Sequence, residues 1–297
     1  MYLRSNCTDG GCYIGTVAKR GCRIAAAPFL RALGILDKKA RSVYNEVANT
    51  SIERYKNMLE LKNISYITED GKDILKNIDL RIEDGFVAVT GPNGGGKSTL
   101  AKVIAGIYKP SEGQILYNGE DITELSITER AKKGISFAFQ QPVRFKGLKV
   151  KDLLNIATGN TRKFADCCDL LSEVGLCARD YMDRELDDSL SGGEMKRIEI
   201  ATILARQTSF NVFDEPEAGI DLWSFQNLIR VFEKMHEKTQ GTILIISHQE
   251  KILNIADKII YIKDGAVEKY GPKEEVLPLL LGLPVSECRV LKEKIGG

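Results

Sequence analysis

The sequence lacks the features of an extracellular, membrane-spanning or nucleic-acid-binding protein. Its seven cysteines among 297 residues are odd in number and irregularly spaced, which argues against a disulfide framework and favours reduced thiols in a cytoplasmic protein. No apolar run reaches the ~18 residues that a membrane-spanning helix needs, so any membrane role must come through a partner. The net charge of +1, from 42 basic and 41 acidic residues, gives no reason to expect nucleic-acid binding.

Charge is nevertheless unevenly distributed along the chain. Residues 1–57 hold ten basic and four acidic residues (+6), which leaves 42 − 10 = 32 basic and 41 − 4 = 37 acidic residues (−5) for 58–297. Apart from a weak helical pattern around 29–47, the first segment has no periodicity, no secretory hydrophobic region and few serines for a transit peptide. Because regular structure begins right after Met58, we expect translation to start there and 1–57 to be an extension of unknown role. Sequencing the N-terminus of the native protein tests this, and residues before Met58 would contradict it.

From Met58 onward the hydrophobic pattern predicts an α/β domain over residues 58–275. Ile78, Leu80 and Ile82 alternate with charged residues, as in a half-buried strand. Short apolar runs with helical patterns between them predict a largely parallel sheet; they are "FVAVT", "FNVFDE", "GTILIIS" and "KIIYIKDG". Residues 141–195 lack strong strand signals and are predicted to form an inserted helical subdomain, and 276–297 a C-terminal tail.

The stretch "TGPNGGGKSTL", residues 90–100, fits the phosphate-loop pattern G-x-x-x-x-G-K-[ST] between a strand and a helix. Glycines let backbone amides turn toward phosphate oxygens, and the helix N-terminus adds positive potential. Lys97 is predicted to reach the β- and γ-phosphates, Ser98 to ligate Mg²⁺, and Thr99 to lie near the α-phosphate. The loop is therefore predicted to bind ATP with Mg²⁺ through Gly91, Pro92, Asn93, Gly94, Gly95, Gly96, Lys97, Ser98 and Thr99.

Two further motifs bear on what the nucleotide is for. "NVFDEPE", residues 211–217, ends an apolar strand in two carboxylates, which suits Asp214 to hold Mg²⁺ through water and Glu215 to orient the attacking water. "LSGGE", residues 190–194, is a second glycine-bearing turn that opens a helix and so a second anion site. One nucleotide does not need two such turns on one chain.

The full set of motifs resembles an ATP-binding-cassette (ABC) ATPase over residues 58 to about 275. The set stands in that family's order and comprises the Walker A loop 91–98, Gln140 in "FAFQQP", the signature 190–194, the Walker B end "FDE" 213–215, the D-loop "GID" 219–221 and His248 in "ISHQE". The resemblance implies a P-loop NTPase fold with a RecA-like core, an antiparallel β subdomain and an inserted helical subdomain.

The same resemblance explains the second turn. In this family the signature of one subunit closes over the ATP held by the Walker A loop of another. Ser191, Gly192 and Gly193 would then bind the nucleotide in trans together with Asp221 of the D-loop. The working unit would be a homodimer that holds two ATP molecules.

The resemblance also implies roles for two side chains beside the nucleotide. His248 would sense the γ-phosphate and stabilise transition-state charge, and Gln140 would ligate Mg²⁺ and link the γ-phosphate to the helical subdomain. The other histidine, His236, lies on a polar helical stretch and is interpreted as structural. Three residues depart from the family pattern: Tyr66 is only an approximate match for the aromatic that stacks on adenine, Asn211 interrupts the Walker B strand, and Glu217 replaces a small hydroxyl residue.

The sequence segments around the motifs indicate which member of the ABC ATPase family this chain resembles. "FAFQQPVRFKG", "LSGGEMKRIEI" and "FDEPEAGIDLWSF" are similar to the cytosolic ATPase of the SUF iron–sulfur cluster assembly system. The leading hypothesis is an energy module whose ATP-driven dimerisation reshapes a scaffold protein, with the cysteines as plain thiols: Cys7, Cys12, Cys22, Cys167, Cys168 and Cys288.

Two alternatives stay open. The first is the nucleotide-binding subunit of a membrane transporter, a cytoplasmic protein held at the membrane by a transmembrane permease. The second is a regulator that binds the nucleotide without hydrolysing it. Glu215 and His248 argue against the regulator, because a clamp needs no carboxylate to orient water.

Overall fold

A computed structural model describes residues 58–159, 164–238 and 241–281 of the chain. This part covers almost all of the predicted α/β domain. The expectations for 1–57, for Cys288 and for most of the C-terminal tail lie outside the described residues.

The described residues contain twelve strands and nine helices. The strands are β1 (Leu59–Ile67), β2 (Asp73–Ile82), β3 (Gly85–Thr90), β4 (Glu112–Tyr117), β5 (Glu120–Asp121), β6 (Ile135–Ala138), β7 (Phe145–Lys149), β8 (Glu185–Leu186), β9 (Phe210–Asp214), β10 (Thr242–Ile246), β11 (Lys258–Lys263) and β12 (Ala266–Pro272). The helices are α1 (Lys97–Ala105), α2 (Ile127–Lys132), α3 (Val150–Ala157), α4 (Phe164–Glu173), α5 (Ala178–Tyr181), α6 (Gly192–Arg206), α7 (Leu222–Lys238), α8 (Glu250–Ile255) and α9 (Lys273–Leu280). None of these helices is long and apolar enough to cross a membrane.

A six-stranded sheet forms the centre of the domain, in the order β12-β11-β3-β10-β9-β6. All neighbours pair in parallel except β11 and β12. The apolar runs of the sequence form its central strands, whose side chains are buried on both faces, so the predicted parallel sheet is confirmed.

A four-stranded antiparallel sheet, β2-β1-β4-β5, forms the second β element. Ile78, Leu80 and Ile82 are buried on its inner face, as their alternation predicts. They pack in one apolar core with Val87 and Val89 of the parallel sheet. The alternate β3 residues face a second core that includes helices α6 and α7. The α/β fold with a nucleotide-binding core and an antiparallel β subdomain is therefore present.

The stretch predicted to form an inserted helical subdomain contains both helices and strands. Between residues 141 and 195 the described chain contains α3, α4 and α5, but it also contains the antiparallel pair β7 and β8. Strand signals are weak in this part of the sequence because β7, "FKGLK", is exposed and carries two lysines and a glycine. The helical subdomain predicted for this stretch thus carries a short antiparallel pair that its sequence did not indicate.

Asn211 remains within β9, as expected from the apolar residues around it. Its side chain is buried, yet both ends of its amide are satisfied by Thr208: Nδ2 donates to the Thr208 carbonyl at 3.0 Å and Oδ1 accepts from the Thr208 hydroxyl at 2.6 Å. A buried amide with its hydrogen bonds made costs the strand little.

The C-terminal end of α1 is fixed by the buried guanidinium of Arg130, which is 1% exposed. Arg130 donates hydrogen bonds at 2.7 to 3.1 Å to four backbone carbonyls, those of Val103, Ile104, Thr123 and Leu125. Two of these acceptors belong to the last turn of α1, where carbonyls lack helical partners. Burial lowers the pKa of Arg130 to about 10, so the group stays charged at neutral pH.

Candidate active site

Three parallel strands deliver the predicted site residues to one edge of the central sheet. Val89 of β3 pairs with Ile246 of β10, and Ile246 pairs with Asp214 of β9. Parallel strands in this register end together. The phosphate loop after β3, the carboxylates at the end of β9 and His248 after β10 therefore lie side by side.

The phosphate loop, residues 91–96, has the backbone that its glycines were expected to allow. Gly91 has a φ of 143°, and a Cβ at this position would lie 1.9 Å from the carbonyl oxygen of Ile262. Gly96 has a φ of 101° and caps α1. Pro92, Asn93 and Gly94 are exposed at the tip of the loop, whereas Gly95 is buried. A side chain at Gly91 or Gly96 would displace the loop from its present path.

Lys97 is buried beneath this loop. Its ammonium group donates to the carbonyls of Gly91 at 2.8 Å and Pro92 at 2.9 Å. Burial lowers its pKa, and the carboxylates of Glu215 and Asp214 oppose that effect. The lysine thus places a desolvated positive charge at the N-terminus of α1, which suits it to bind phosphate.

Ser98 and Asp214 offer oxygen ligands next to that charge. The Ser98 hydroxyl donates to Oδ1 of Asp214 at 2.8 Å, and Thr99, the next residue of α1, is half-buried. Burial raises the pKa of Asp214, although the Ser98 hydrogen bond lowers it. A hydroxyl and a carboxylate in contact are hard oxygen donors, so the pair fits the chemistry of Mg²⁺.

Glu215 is held by its backbone in an uncommon conformation. Its φ is 45°, in the left-handed region, which costs energy for a residue with a side chain. Its amide donates to the Ile246 carbonyl at 3.1 Å, and its own carbonyl accepts from the Lys196 ammonium at 3.0 Å. Both bonds fix the direction of the side chain.

The Glu215 carboxylate brings Gln140 and His248 together. Gln140 Nε2 donates to one carboxylate oxygen at 2.6 Å, and His248 Nε2 lies 3.9 Å from the other. Burial and the nearby charge of Lys97 lower the pKa of His248, so its imidazole is neutral at pH 7. The sequence predicts that these three side chains act on the γ-phosphate and the attacking water. In the structure they lie next to one another.

The signature turn is stabilised within its own helix and not by the phosphate loop. Ser191 caps α6, and within the described part of the chain no hydrogen bond joins residues 191–193 to residues 91–99. Ser191 and Gly192 are exposed, and nothing stands within 4 Å of a Cβ built on Gly192. Asp221 accepts a hydrogen bond from the Ser224 amide at the start of α7. Within the described residues, the two turns predicted to bind anions are thus not joined by a hydrogen bond.

Sequence reasoning missed the charged residues that connect α6 to the catalytic edge. Lys196 donates to the Glu215 and Ala218 carbonyls, and Glu199 accepts from the Phe139 amide at 3.0 Å, one residue before Gln140. The available signal was a lysine and a glutamate three residues apart among the buried apolar residues of α6.

Glu217 is a further residue whose part the sequence did not reveal. Its Oε1 accepts from the Ser247 hydroxyl, and that hydroxyl accepts from the amide of Gln249 at 3.0 Å. The residue that departs from the family pattern therefore ties the segment after Glu215 to the loop that carries His248.

The two remaining sequence expectations concern aromatic residues. Tyr66 stacks on Tyr108 with 5.1 Å between ring centroids and 7° between planes, and its contact with adenine stays a prediction. His236 packs against the Phe86 ring and lies 3.3 Å from Asp257, on a different part of the domain from the phosphate loop, in keeping with a structural role.

Comparison with known proteins identifies the family. Residues 75–218 match the ABC transporter family model. An uncharacterised ABC transporter ATP-binding protein of Methanocaldococcus jannaschii is 40% identical over 222 residues, which cover 71% of this chain and 88% of that protein. The chain belongs to the ABC ATPase family.

Other relatives of this ABC ATPase are named as transporters or as ATP-binding proteins of importers. A spermidine/putrescine import ATP-binding protein of Mesoplasma florum is 34% identical over 74% of this chain and 63% of its own length. A probable ATP-dependent transporter of Synechocystis is 35% identical over 75% of this chain and 92% of its own. Among solved structures, a dimeric ATP-binding cassette bound to ADP and phosphate matches with a TM-score of 0.65 and 26% identity, over 72% of this chain and 98% of its own.

The position of Lys97 beneath the phosphate loop predicts that removal of its charge lowers the affinity for ATP. We expect Lys97→Ala to weaken ATP binding at least about tenfold, because charge-assisted hydrogen bonds to phosphate contribute ~1.5 to 3 kcal/mol. Titration with a fluorescent ATP analogue measures this. Lys132→Ala, on the exposed face of α2, is the matched control and should bind as the unaltered protein does. Unchanged affinity in Lys97→Ala would contradict the assignment.

The raised pKa of Glu199 predicts that the free energy of unfolding depends on pH. Burial raises its pKa to about 7, above the ordinary value of 4.5, so the folded state holds an extra proton between these two values. Stability from this group is full below pH 4.5 and is lost as the pH rises through 7.

Glu199→Gln keeps a hydrogen-bond acceptor for Phe139 and removes the charge. Relative to the unaltered protein, we expect little change in the free energy of unfolding at pH 5 and a gain of about 1 to 2 kcal/mol at pH 8, after allowance for solvent screening of a half-buried group. Urea unfolding at several pH values measures both. Glu237→Gln, exposed on α7, is the control, and equal pH slopes in all three proteins would refute the prediction.

Proposed function

We propose that ATP binding joins two copies of this ATPase and that the dimer drives a partner protein through its helical subdomain. The observation that carries the proposal is that the phosphate loop and the signature turn of one chain, both within the described residues, share no hydrogen bond. The tip of the phosphate loop, Pro92 to Gly94, and the start of the signature helix, Ser191 and Gly192, are exposed, so both can face a second copy. A second copy, related by a two-fold axis, supplies each missing half.

Hydrolysis in this dimer follows from the groups at the sheet edge. The carboxylate of Glu215 accepts a hydrogen bond from a water molecule and directs the water oxygen at the γ-phosphorus. The bond from water to phosphorus forms as the bond between that phosphorus and the ADP oxygen breaks, which yields ADP and phosphate. Lys97 and neutral His248 donate hydrogen bonds to the γ-phosphate oxygens.

Mg²⁺ would be held by Ser98 and Asp214, with Gln140 as a further ligand. When bound, it neutralises charge on the β- and γ-phosphates. Gln140 is suited to report on this site because its backbone follows Phe139, whose amide is bound to Glu199 of the signature helix. Nucleotide occupancy would thereby influence both the helical subdomain and the signature turn.

The partner that we favour is the scaffold of an iron–sulfur cluster assembly system of the SUF type. The support is the similarity of three sequence phrases, those at 137–147, 190–200 and 213–225, to the ATPase of that system. Two of the residues that follow Gln140, Val143 (46% exposed) and Phe145 (43% exposed), form a small apolar surface. Exposed apolar residues next to the nucleotide sensor suit the docking of a partner.

A second candidate is the ATP-binding subunit of a membrane transporter. The names of the relatives from Methanocaldococcus and Mesoplasma favour it. In that case the same apolar surface would receive a cytoplasmic loop of a permease, and the protein would lie at the membrane through this partner alone.

Replacement of Glu215 tests the hydrolytic assignment and the dimer together. Glu215→Gln should lower ATP turnover at least about 100-fold, the usual contribution of a general base, while ATP binding is retained and an ATP-bound dimer accumulates in analytical ultracentrifugation. Glu233→Gln, exposed on α7, should hydrolyse ATP normally. Equal turnover in Glu215→Gln would remove this residue from the mechanism.

Affinity capture from the native cytosol and membranes, with and without ATP, distinguishes the two partners. A soluble scaffold that carries iron and sulfide supports cluster assembly, whereas an integral membrane protein overturns it in favour of transport. Phe145→Ser should lose the captured partner with ATP affinity unchanged. Ile67→Ser, which alters an equally exposed residue of the antiparallel sheet, should capture it normally.

A further inference from the structure

The signature turn carries a carboxylate where the proposed function requires it to approach a triphosphate. Glu194 stands in the first turn of α6, and its Oε2 accepts from the Ser191 amide at 2.7 Å. In return, the Glu194 amide donates to the Ser191 hydroxyl oxygen at 3.3 Å. The carboxylate is thus bound to the same serine that would meet the nucleotide of a second copy.

A free carboxylate in this place would oppose the approach of ATP. Like charges within a few ångströms repel strongly once water is excluded between two protein surfaces. Burial raises the pKa of Glu194, but hydrogen bonds from Tyr181 and Ser191 outweigh it and hold that pKa below its ordinary value. The group is therefore ionised at neutral pH, and its charge must be offset by neighbours.

Two residues outside the signature engage the other carboxylate oxygen. The Tyr181 hydroxyl, at the end of α5, donates to Oε1 of Glu194. Arg184 places Nη1 3.9 Å from the same oxygen. Both Glu194 oxygens are consequently occupied, one by the α6 backbone and one by the helical subdomain.

Tyr181 and Arg184 are themselves fixed in place. The Arg184 guanidinium carbon lies 5.3 Å from the centre of the Tyr181 ring, and Arg184 Nη2 donates to the Ser189 carbonyl at 2.7 Å. The Arg184 amide also bonds to the Tyr181 carbonyl. This arrangement presents one hydroxyl and one positive charge to Glu194 as a preformed unit.

We propose that Tyr181 and Arg184 are positioning residues that hold the Glu194 carboxylate toward the helical subdomain and offset its charge, so that the signature turn accepts ATP from a second copy. The proposal rests on the ATP-dependent dimer proposed above. Because the Ser191 hydroxyl oxygen accepts the Glu194 amide, its proton is left to donate to a phosphate oxygen. Tyr181 acts here through Glu194 and touches no nucleotide.

A purely structural role for Tyr181 makes a different prediction. Loss of a hydrogen bond that only stabilises the fold would lower the free energy of unfolding and leave the dimer dissociation constant of the folded protein unchanged. Loss of electrostatic shielding would matter only while the carboxylate is present. A double-mutant cycle between Tyr181 and Glu194 therefore separates the two roles.

The experiment measures dimerisation with ATP and Mg²⁺ by analytical ultracentrifugation, with Glu215→Gln present in every variant to block hydrolysis. We expect Tyr181→Phe to raise the dimer dissociation constant about tenfold, and Arg184→Gln to act in the same direction. With Glu194→Gln also present, Tyr181→Phe should have no effect. Higher salt should reduce the tenfold difference. Tyr270→Phe, on strand β12, is the matched control.

The outcomes distinguish this inference from the function on which it rests. If Glu215→Gln alone stays monomeric with ATP, the proposed dimer is wrong and the inference fails with it. If that protein dimerises but Tyr181→Phe changes nothing, only the inference is overturned. The inference is also overturned if Tyr181→Phe weakens the dimer equally with and without Glu194→Gln. Thermal unfolding of each variant establishes that it is folded.

Discussion

Parallel hydrogen bonding between β3, β10 and β9 is the constraint on which the site depends. Its register aligns Val89, Ile246 and Asp214 across three strands. A shift of one residue would turn every side chain of a strand to the opposite face and separate the phosphate loop from the carboxylates. The apolar cores on both faces of the sheet fix this register. The relative positions of the phosphate loop, the carboxylates and His248 therefore depend on side-chain packing in the two cores.

A second set of interactions connects that edge to the signature helix. Lys196 and Glu199 make this connection through the Glu215 carbonyl and the Phe139 amide, whereas Glu217 joins its segment to Ser247. All three are ionisable side chains in largely buried positions. Such groups are costly to bury and costly to disturb once their partners are in place. Their bonds reach the segments that carry Gln140, Glu215 and His248. Movement of the helix relative to the sheet would therefore alter the catalytic groups directly.

The sequence was sufficient for the features that depend on local pattern. Apolar runs predicted the parallel sheet, alternation at Ile78 to Ile82 predicted a half-buried strand, and the glycine loop predicted a strand, a turn and a helix. The sequence was insufficient where the role of a residue depends on partners that are distant along the chain. Nothing near Glu199 or Glu217 in the chain indicates that they bind Phe139 and Ser247, and the strands β7 and β8 are too short and polar to produce a periodic signal. The signature was recognisable as a sequence motif. The hydrogen bond from Tyr181 to Glu194 of the signature became visible only in the structure, where α5 lies beside α6.

Arg130 has a consequence for how nucleotide binding can be transmitted. Its guanidinium fastens the last turn of α1 to the backbone around Thr123 and Leu125, while the first turn of α1 begins at the phosphate loop. A helix clamped at its far end cannot slide along its axis to absorb the arrival of a triphosphate. We therefore expect the phosphate loop to keep its position when ATP binds, and the parts that approach it to move instead.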